Sequence, residues 1–187
     1  MWSAAIRIRT RPSEPSLREA NLQGADLEGS SLRAADLRGG NLQDAVLQQA
    51  DLHKANLQLA DLRGANQRAA DLSESDLQGA DLQGADLSGA VLWRSNLNGA
   101  NLRRAKLHGA SLREADLQDA NLRHADCQSA DLAGANLRGT KLWRADLRYA
   151  DLQAVNLMET TGLTSEQVSA AVVDAATRLP EGVRSLG

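Results

Sequence analysis

Ala80-Asp81-Leu82-Gln83-Gly84-Ala85-Asp86-Leu87-Ser88-Gly89 is one five-residue phrase written twice, and reading outward from it decides the fold. From Leu17 to Leu157 there are 29 positions spaced by five, and 27 of them are Leu, the exceptions being Gln67 and Cys127. Two residues earlier in each unit, from position 20 to 155, 22 of 28 are Ala; the others are Ser30, Gly40, Ser75, Ser95, Thr140 and Val155. Between the two apolar places sits Asp or Asn in 22 of 29 units. No straight element can use this period. On an α-helix a step of five rotates each Leu by roughly 140°, which smears the apolar stripe around the axis. On a straight strand an odd step sends each Leu to the opposite face. The pattern works if the chain turns a corner once per unit, with Ala and Leu inward and Asp or Asn outward. Four corners close a square of twenty residues, so residue n lies beneath n+20. Stacked at the sheet spacing of about 4.8 Å, about seven coils make a rod on the order of 35 Å long.

Units such as Ala80-Asp-Leu-Gln-Gly, Ala85-Asp-Leu-Ser-Gly and Ala100-Asn-Leu-Arg-Arg resemble the A(D/N)LXX consensus of the pentapeptide-repeat family, in the Leu-centred form of cyanobacterial members. The resemblance covers about three quarters of the chain. It implies an all-β solenoid, a right-handed quadrilateral β-helix. The hand comes from the resemblance and not from the periodicity.

A solenoid exposes its core at both ends and needs lids. Residues 1–15 read as an N-terminal capping strand or basic arm, 16–160 as the β-helix and 161–187 as a C-terminal cap. In the cap, Thr164 with Gln167 forms a capping box. Val168, Ala171, Val172 and Ala175 then follow at helical spacing and Pro180 ends the segment, so a short amphipathic α-helix is expected over the last coil.

Composition narrows the function classes. The chain has no Phe, one Tyr and three Trp, so its core lacks the usual aromatic bulk. Lys+Arg 21 against Asp+Glu 24 gives a net charge of −3, with no global pull toward nucleic acid or an anionic membrane. One cysteine excludes an intramolecular disulfide. No run of apolar residues suits a signal peptide or a membrane span, and a cytoplasmic protein is expected.

Inside the repeat, Gln67 is expected to hydrogen-bond backbone carbonyls of neighbouring coils, since an unpaired buried amide costs ~1–3 kcal/mol. Cys127 should behave as an inert small hydrophobe in a Leu slot. Ser75 and Ser95, twenty apart, should satisfy each other. The three histidines, His53, His108 and His124, fall on three different sides, so no pair can share a metal or a nucleophile. The Asp residues occur where the turn wants an outward acceptor. No phosphate-binding glycine loop is present. Catalytic, cofactor and metal residues are therefore expected to be none, and the chain is read as no enzyme.

Folding the exterior into columns of twenty exposes an asymmetry. Arg103, Arg123 and Trp143 stack in one column, and Arg104, His124 and Arg144 in the next, with Lys141 beside them. These three coils put five fixed positive charges and a Trp on one wall without a carboxylate. The opposite wall carries Arg113, Glu114, Asp131 and Asp151. There Val91 and Trp93 flank inward Leu92 and are expected to point to solvent, a second candidate patch. The bland alternative is a pair of solvated faces, with Asp126 and Asp146 around the corner neutralising the basic wall.

These readings predict a non-enzymatic protein-interaction scaffold or regulatory binding protein. The expected partner is another protein, with no small-molecule substrate, no nucleic acid and no membrane; a homodimer through a capped end is left open. The alternative is a DNA-mimic inhibitor or protector of a type II topoisomerase (DNA gyrase). The resemblance implies Phe-rich centres and a strongly acidic surface for that branch, and neither is present in this sequence. A purely structural role is a third possibility.

Overall fold

What bends the chain once per unit is a hydrogen-bonded turn around each Leu. The structure, a computed structural model, describes residues 16–185. In every unit the amide after the turn donates to the carbonyl of the central residue, from Ala20 N–H to Leu17 O at 3.1 Å through Thr160 N–H to Leu157 O at 3.1 Å. The last residue of nearly every unit lies in the left-handed region, as at Gly84 (φ 70°), Arg104 (φ 59°) and Leu59 (φ 57°), while the residue before it does not. Positive φ at the third turn position alone is the sign pattern of a type II turn. The outward Asp or Asn braces the same turn. Its Oδ1 accepts the amide two residues on, as from Gln83 N–H to Asp81 at 3.0 Å and from Gln118 N–H to Asp116 at 3.1 Å.

Corners of equal length put each coil in register with the next. Parallel bridges join residues twenty apart without interruption from Ser16↔Asp36 to Asp131↔Asp151. Each pairing is an isolated bridge, because only two or three residues separate the corners. The inward Ala and Leu columns are buried along the rod, with Leu82 and Leu102 at 0% exposure. The expected cap or arm over 1–15 lies outside the described residues.

The interior exceptions divide. Cys127 is buried as expected, and burial pushes its thiol up to about 12, so it stays protonated and unreactive. Ser75 and Ser95 do not bond each other: each hydroxyl donates to the carbonyl of its own turn, Leu72 O at 2.6 Å and Leu92 O at 2.8 Å. Three residues separate hydroxyl and carbonyl, whereas the next hydroxyl is a coil away. Gln67 is a larger departure. Its side chain is fully buried, yet neither Nε2 nor Oε1 finds a partner among the described residues. The neighbouring carbonyls are occupied: Gln67 O accepts from Ala70 N–H at 3.1 Å, and Asp86 O accepts from Gln67 N–H at 2.7 Å. The ladder takes one lone pair of each, and the Gln67 amide reaches neither of the second ones, although Leu72 O accepts both the Ser75 N–H and the Ser75 hydroxyl.

The C-terminal lid also differs from the expected helix. Helix α1 spans only Ser165–Ser169. The capping box is present, with Thr164 N–H donating to Gln167 Oε1 at 2.9 Å and Gln167 N–H to Thr164 Oγ1 at 3.3 Å. Gln167 Nε2 then donates to Leu142 O at 3.0 Å and Ala145 O at 2.7 Å, fastening α1 to the coil below. Val168 is buried on that coil. Ala171, Val172 and Ala175 lie beyond the helix. The chain instead rejoins the ladder at Asp151↔Val172 and Asn156↔Arg178, so Val172 is a bridge residue whose side chain is 46% exposed. Open carbonyls on the last coil win over continuation of the helix, since each satisfied one removes a desolvation cost.

Three substitutions test these contacts. Gln67→Leu keeps the side-chain volume nearly constant and removes two unsatisfied polar atoms, so it should raise unfolding stability by about 1–3 kcal/mol, read as a higher chemical-denaturation midpoint. Val168→Asp should lower thermal stability by burying a charge, whereas Val172→Asp should leave the melting temperature unchanged; the reverse order would place the lid contact at the wrong residue.

Candidate functional site: a basic wall near the C-terminal end

The register brings the predicted wall together as the columns require. Bridges Asn101↔Asn121 and Asn121↔Lys141 stack the three coils. The outward amides make a hydrogen-bonded ladder, Asn121 Nδ2 to Asn101 Oδ1 at 3.2 Å and Asn101 Nδ2 to Asp81 Oδ1 at 2.9 Å. Arg103, Arg104, Arg123, Lys141, Trp143 and Arg144 are all exposed beside this spine. Two coils below, on the same face, Arg63 is held by Asp61 at 2.5 Å. The wall's five cations have no such partner: among the described residues none of them makes an ion pair. Asp146 is engaged around the corner by Arg148 at 2.6 Å.

Trp143 organises the upper half. The Arg144 guanidinium lies over its ring at 4.4 Å from the centroid, and His124 meets it edge-on at 4.7 Å. Such packing is worth about 0.5–1.5 kcal/mol beyond area burial and holds both side chains in place. Partial burial lowers the His124 pKa from its ordinary value, and the charges of Arg104, Arg144, Arg103 and Arg123 lower it further. The neutral imidazole is favoured by both causes.

An open groove of ≈ 580 Å³ runs along the wall, lined by Arg103, Asn121, Arg123, His124, Trp143, Thr161 and Gly162. Thr161 and Gly162 were not among the sequence candidates. The signal was available: residue 162 falls in the central slot of the next unit, where Gly stands in place of Leu. A Cβ on Gly162 would come within 2.9 Å of the Trp143 backbone and Cβ, and its φ of 76° favours glycine, so the close pass that shapes the groove depends on this residue.

The second patch is only partly as expected. Val91 is 40% exposed, but Trp93 is half-buried. Arg94 covers its ring at 4.4 Å and is itself fixed by Glu114 at 2.7 Å, so the indole is used within the fold. On the same wall Arg113 pairs with Asp131 at 3.3 Å. His53 bonds Ser73 Oγ at 2.8 Å on this wall too, well away from His108 and His124. Among the described residues no three His, Cys, Asp or Glu side chains gather as a metal ion would need, and no helix is long and apolar enough to cross a membrane.

The family described as Pentapeptide repeats matches residues 16–33, 30–66, 55–94, 85–123 and 125–161. The chain belongs to the pentapeptide-repeat family. Among solved structures it is similar to HetL, a pentapeptide repeat protein involved in heterocyst differentiation regulation from the cyanobacterium Nostoc sp., with 29% identity over 94% of this chain and 91% of that one and a TM-score of 0.58. It is also similar to QnrB1, a plasmid-mediated fluoroquinolone resistance protein, with 22% identity over 86% of this chain and 79% of that one and a TM-score of 0.61. That second likeness is one of fold. No curated protein matches the chain.

The wall's electrostatics can be checked directly. His124 should titrate below the ordinary 6.5, and Arg104→Gln or Arg144→Gln should move it upward by removing a like charge; NMR titration of the imidazole C–H signals measures both. Because folded His124 resists the proton more than the unfolded chain does, its contribution makes stability fall as pH drops through 6.5 toward the lower folded value.

Proposed function

We propose that this rod is a non-enzymatic protein-interaction scaffold or regulatory binding protein, whose wall of Arg103, Arg104, Arg123, His124, Lys141, Trp143 and Arg144 receives an acidic surface of another protein. The observation that carries this reading is the set of five fixed cations on three adjacent coils with no ion pair among the described residues. Stacking like charges one coil apart costs stability, and the repeat does not ask for it: the same two columns hold Gln23, Gln43 and Gln83, and Gly24, Gly64 and Gly84, lower on the rod. Arg104 and Arg144 also occupy left-handed backbone where glycine is cheaper. Other non-glycine residues fill that place elsewhere, so the cost alone does not mark the wall; the unpaired charge does. The likeness to HetL over nearly the whole chain is in keeping with a regulatory role. Val91 is a secondary contact candidate, and Trp93 a weaker one because Arg94 covers it.

The alternative of a DNA-mimic acting on DNA gyrase has less support, because a basic wall is the wrong sign for a mimic of a polyanion. A nucleic-acid backbone is disfavoured by the net charge of −3 and the shortness of the patch.

Reversal at three sites tests the reading. The triple variant Arg103→Glu, Arg123→Glu, Arg144→Glu should keep its fold, checked by circular dichroism, and lose the wild-type partner in pull-down from the source organism. Retention of every wild-type partner would reduce the wall to a solvated face. A supercoiling assay with DNA gyrase, expected to show no effect, checks the alternative.

A further inference from the structure

Within the wall, the groove between the Arg103–Arg123 column and Gly162 has a more specific chemistry than general positive charge. Two guanidinium forks project from the same column one coil apart, and neither donates to any group among the described residues. Arg103 and Arg123 have their own backbone amides capped by Asn101 and Asn121, each at 3.3 Å. Trp143, next in the column, has no such cap, because residue 141 is Lys and not Asp or Asn; its backbone N–H makes no hydrogen bond among the described residues. Thr161 and Gly162 line the same groove, and a side chain at 162 would come within 2.9 Å of the Trp143 nitrogen. The site is rich in donors and holds no carboxylate. A carboxylate has one charge and two oxygens, so it would leave most of this set unmatched. A phosphate monoester has three terminal oxygens and a charge of about −1.5 to −2 near neutral pH, and arginine forks bind it bidentately. Base stacking is not the attraction, since Trp143 already carries Arg144 over its ring at 4.4 Å.

We propose that this groove receives a phosphate monoester borne on a side chain of the protein partner, bound by Arg103 and Arg123 with the Trp143 amide and the Thr161 hydroxyl completing the cradle. The inference rests on the reading of the wall as a partner surface and narrows that partner to a phosphorylated one.

The test uses the full chain and NMR at pH 7.5, with four probes: N-acetyl-phosphoserine amide, N-acetyl-glutamate amide, inorganic phosphate and sulfate. The expected result is saturable movement of the Trp143 indole and Gly162 amide signals by the phosphoserine probe. Its affinity should exceed that of the glutamate probe by about tenfold or more, the difference one charge-assisted bond supplies. Arg103→Gln and Arg123→Gln should each abolish that preference without unfolding the rod, since Gln23, Gln43 and Gln83 occupy the same column. Equal affinity for the glutamate probe would overturn the phosphate inference and leave the acidic-partner reading standing. Tighter binding of inorganic phosphate than of the ester would make this a free-ion site and overturn it as well. If the wild type binds none of the four, the inference fails, and the triple charge reversal decides the broader reading independently.

Discussion

The bond from each unit's first amide back to the preceding Leu carbonyl is the constraint on which the rest of the rod depends. It closes a turn of fixed size, and fixed size keeps residue n beneath residue n+20. Once that register holds, every other regularity follows. Ala and Leu form columns because they recur at the same distance from a corner, and Asp or Asn recurs where its carboxylate or amide can accept the turn's spare N–H. The cost is the left-handed residue at each corner, which glycine meets at φ 60–70° in many of the units. A change in corner length anywhere would shift every later side chain to a different column.

A fold so determined inside leaves its individuality outside. Two places per unit have side chains outside the core, and one face over three coils fills them with arginine, histidine and tryptophan. The lower part of that same face shows what the fold does without an external demand: Arg63 is neutralised by Asp61 at 2.5 Å. The contrast between these two halves of one surface carries the functional argument: both share backbone geometry and exposure, but the carboxylate two residues before Arg63 is replaced by Asn101, Asn121 and Lys141 on the wall.

The architecture was legible because the period is short and nearly unbroken; Leu82 and Leu102 had only one way to face. The wall was legible for the same reason, since column arithmetic fixes which side chains stand together. What escaped were places where backbone and side chain compete for the same partners. Gln67 is expected to borrow backbone carbonyls, but its amide meets none, although carbonyls elsewhere in the rod accept a side-chain donor beside the ladder N–H. Ser75 and Ser95 chose the carbonyl of their own turn over a hydroxyl one coil away. Trp93 was expected to face solvent, and arithmetic alone could not see Arg94 folding over it. The tail past Leu157 has no period to read, so Val172 passed for a helical residue when it is a ladder residue.

That tail bears on how the rod ends. Along the barrel the pairing step is twenty residues, but it lengthens at the lid: Asp151 pairs with Val172 and Asn156 with Arg178. A uniform solenoid end is a template that another copy could extend, as an open sheet edge invites pairing. Here the final edge has a different circumference from every coil beneath it, and α1 occupies one of its sides. A second rod arriving in register would find its corners out of step. The irregular tail thus gives this end of the rod an edge that does not repeat the register of the coils beneath it.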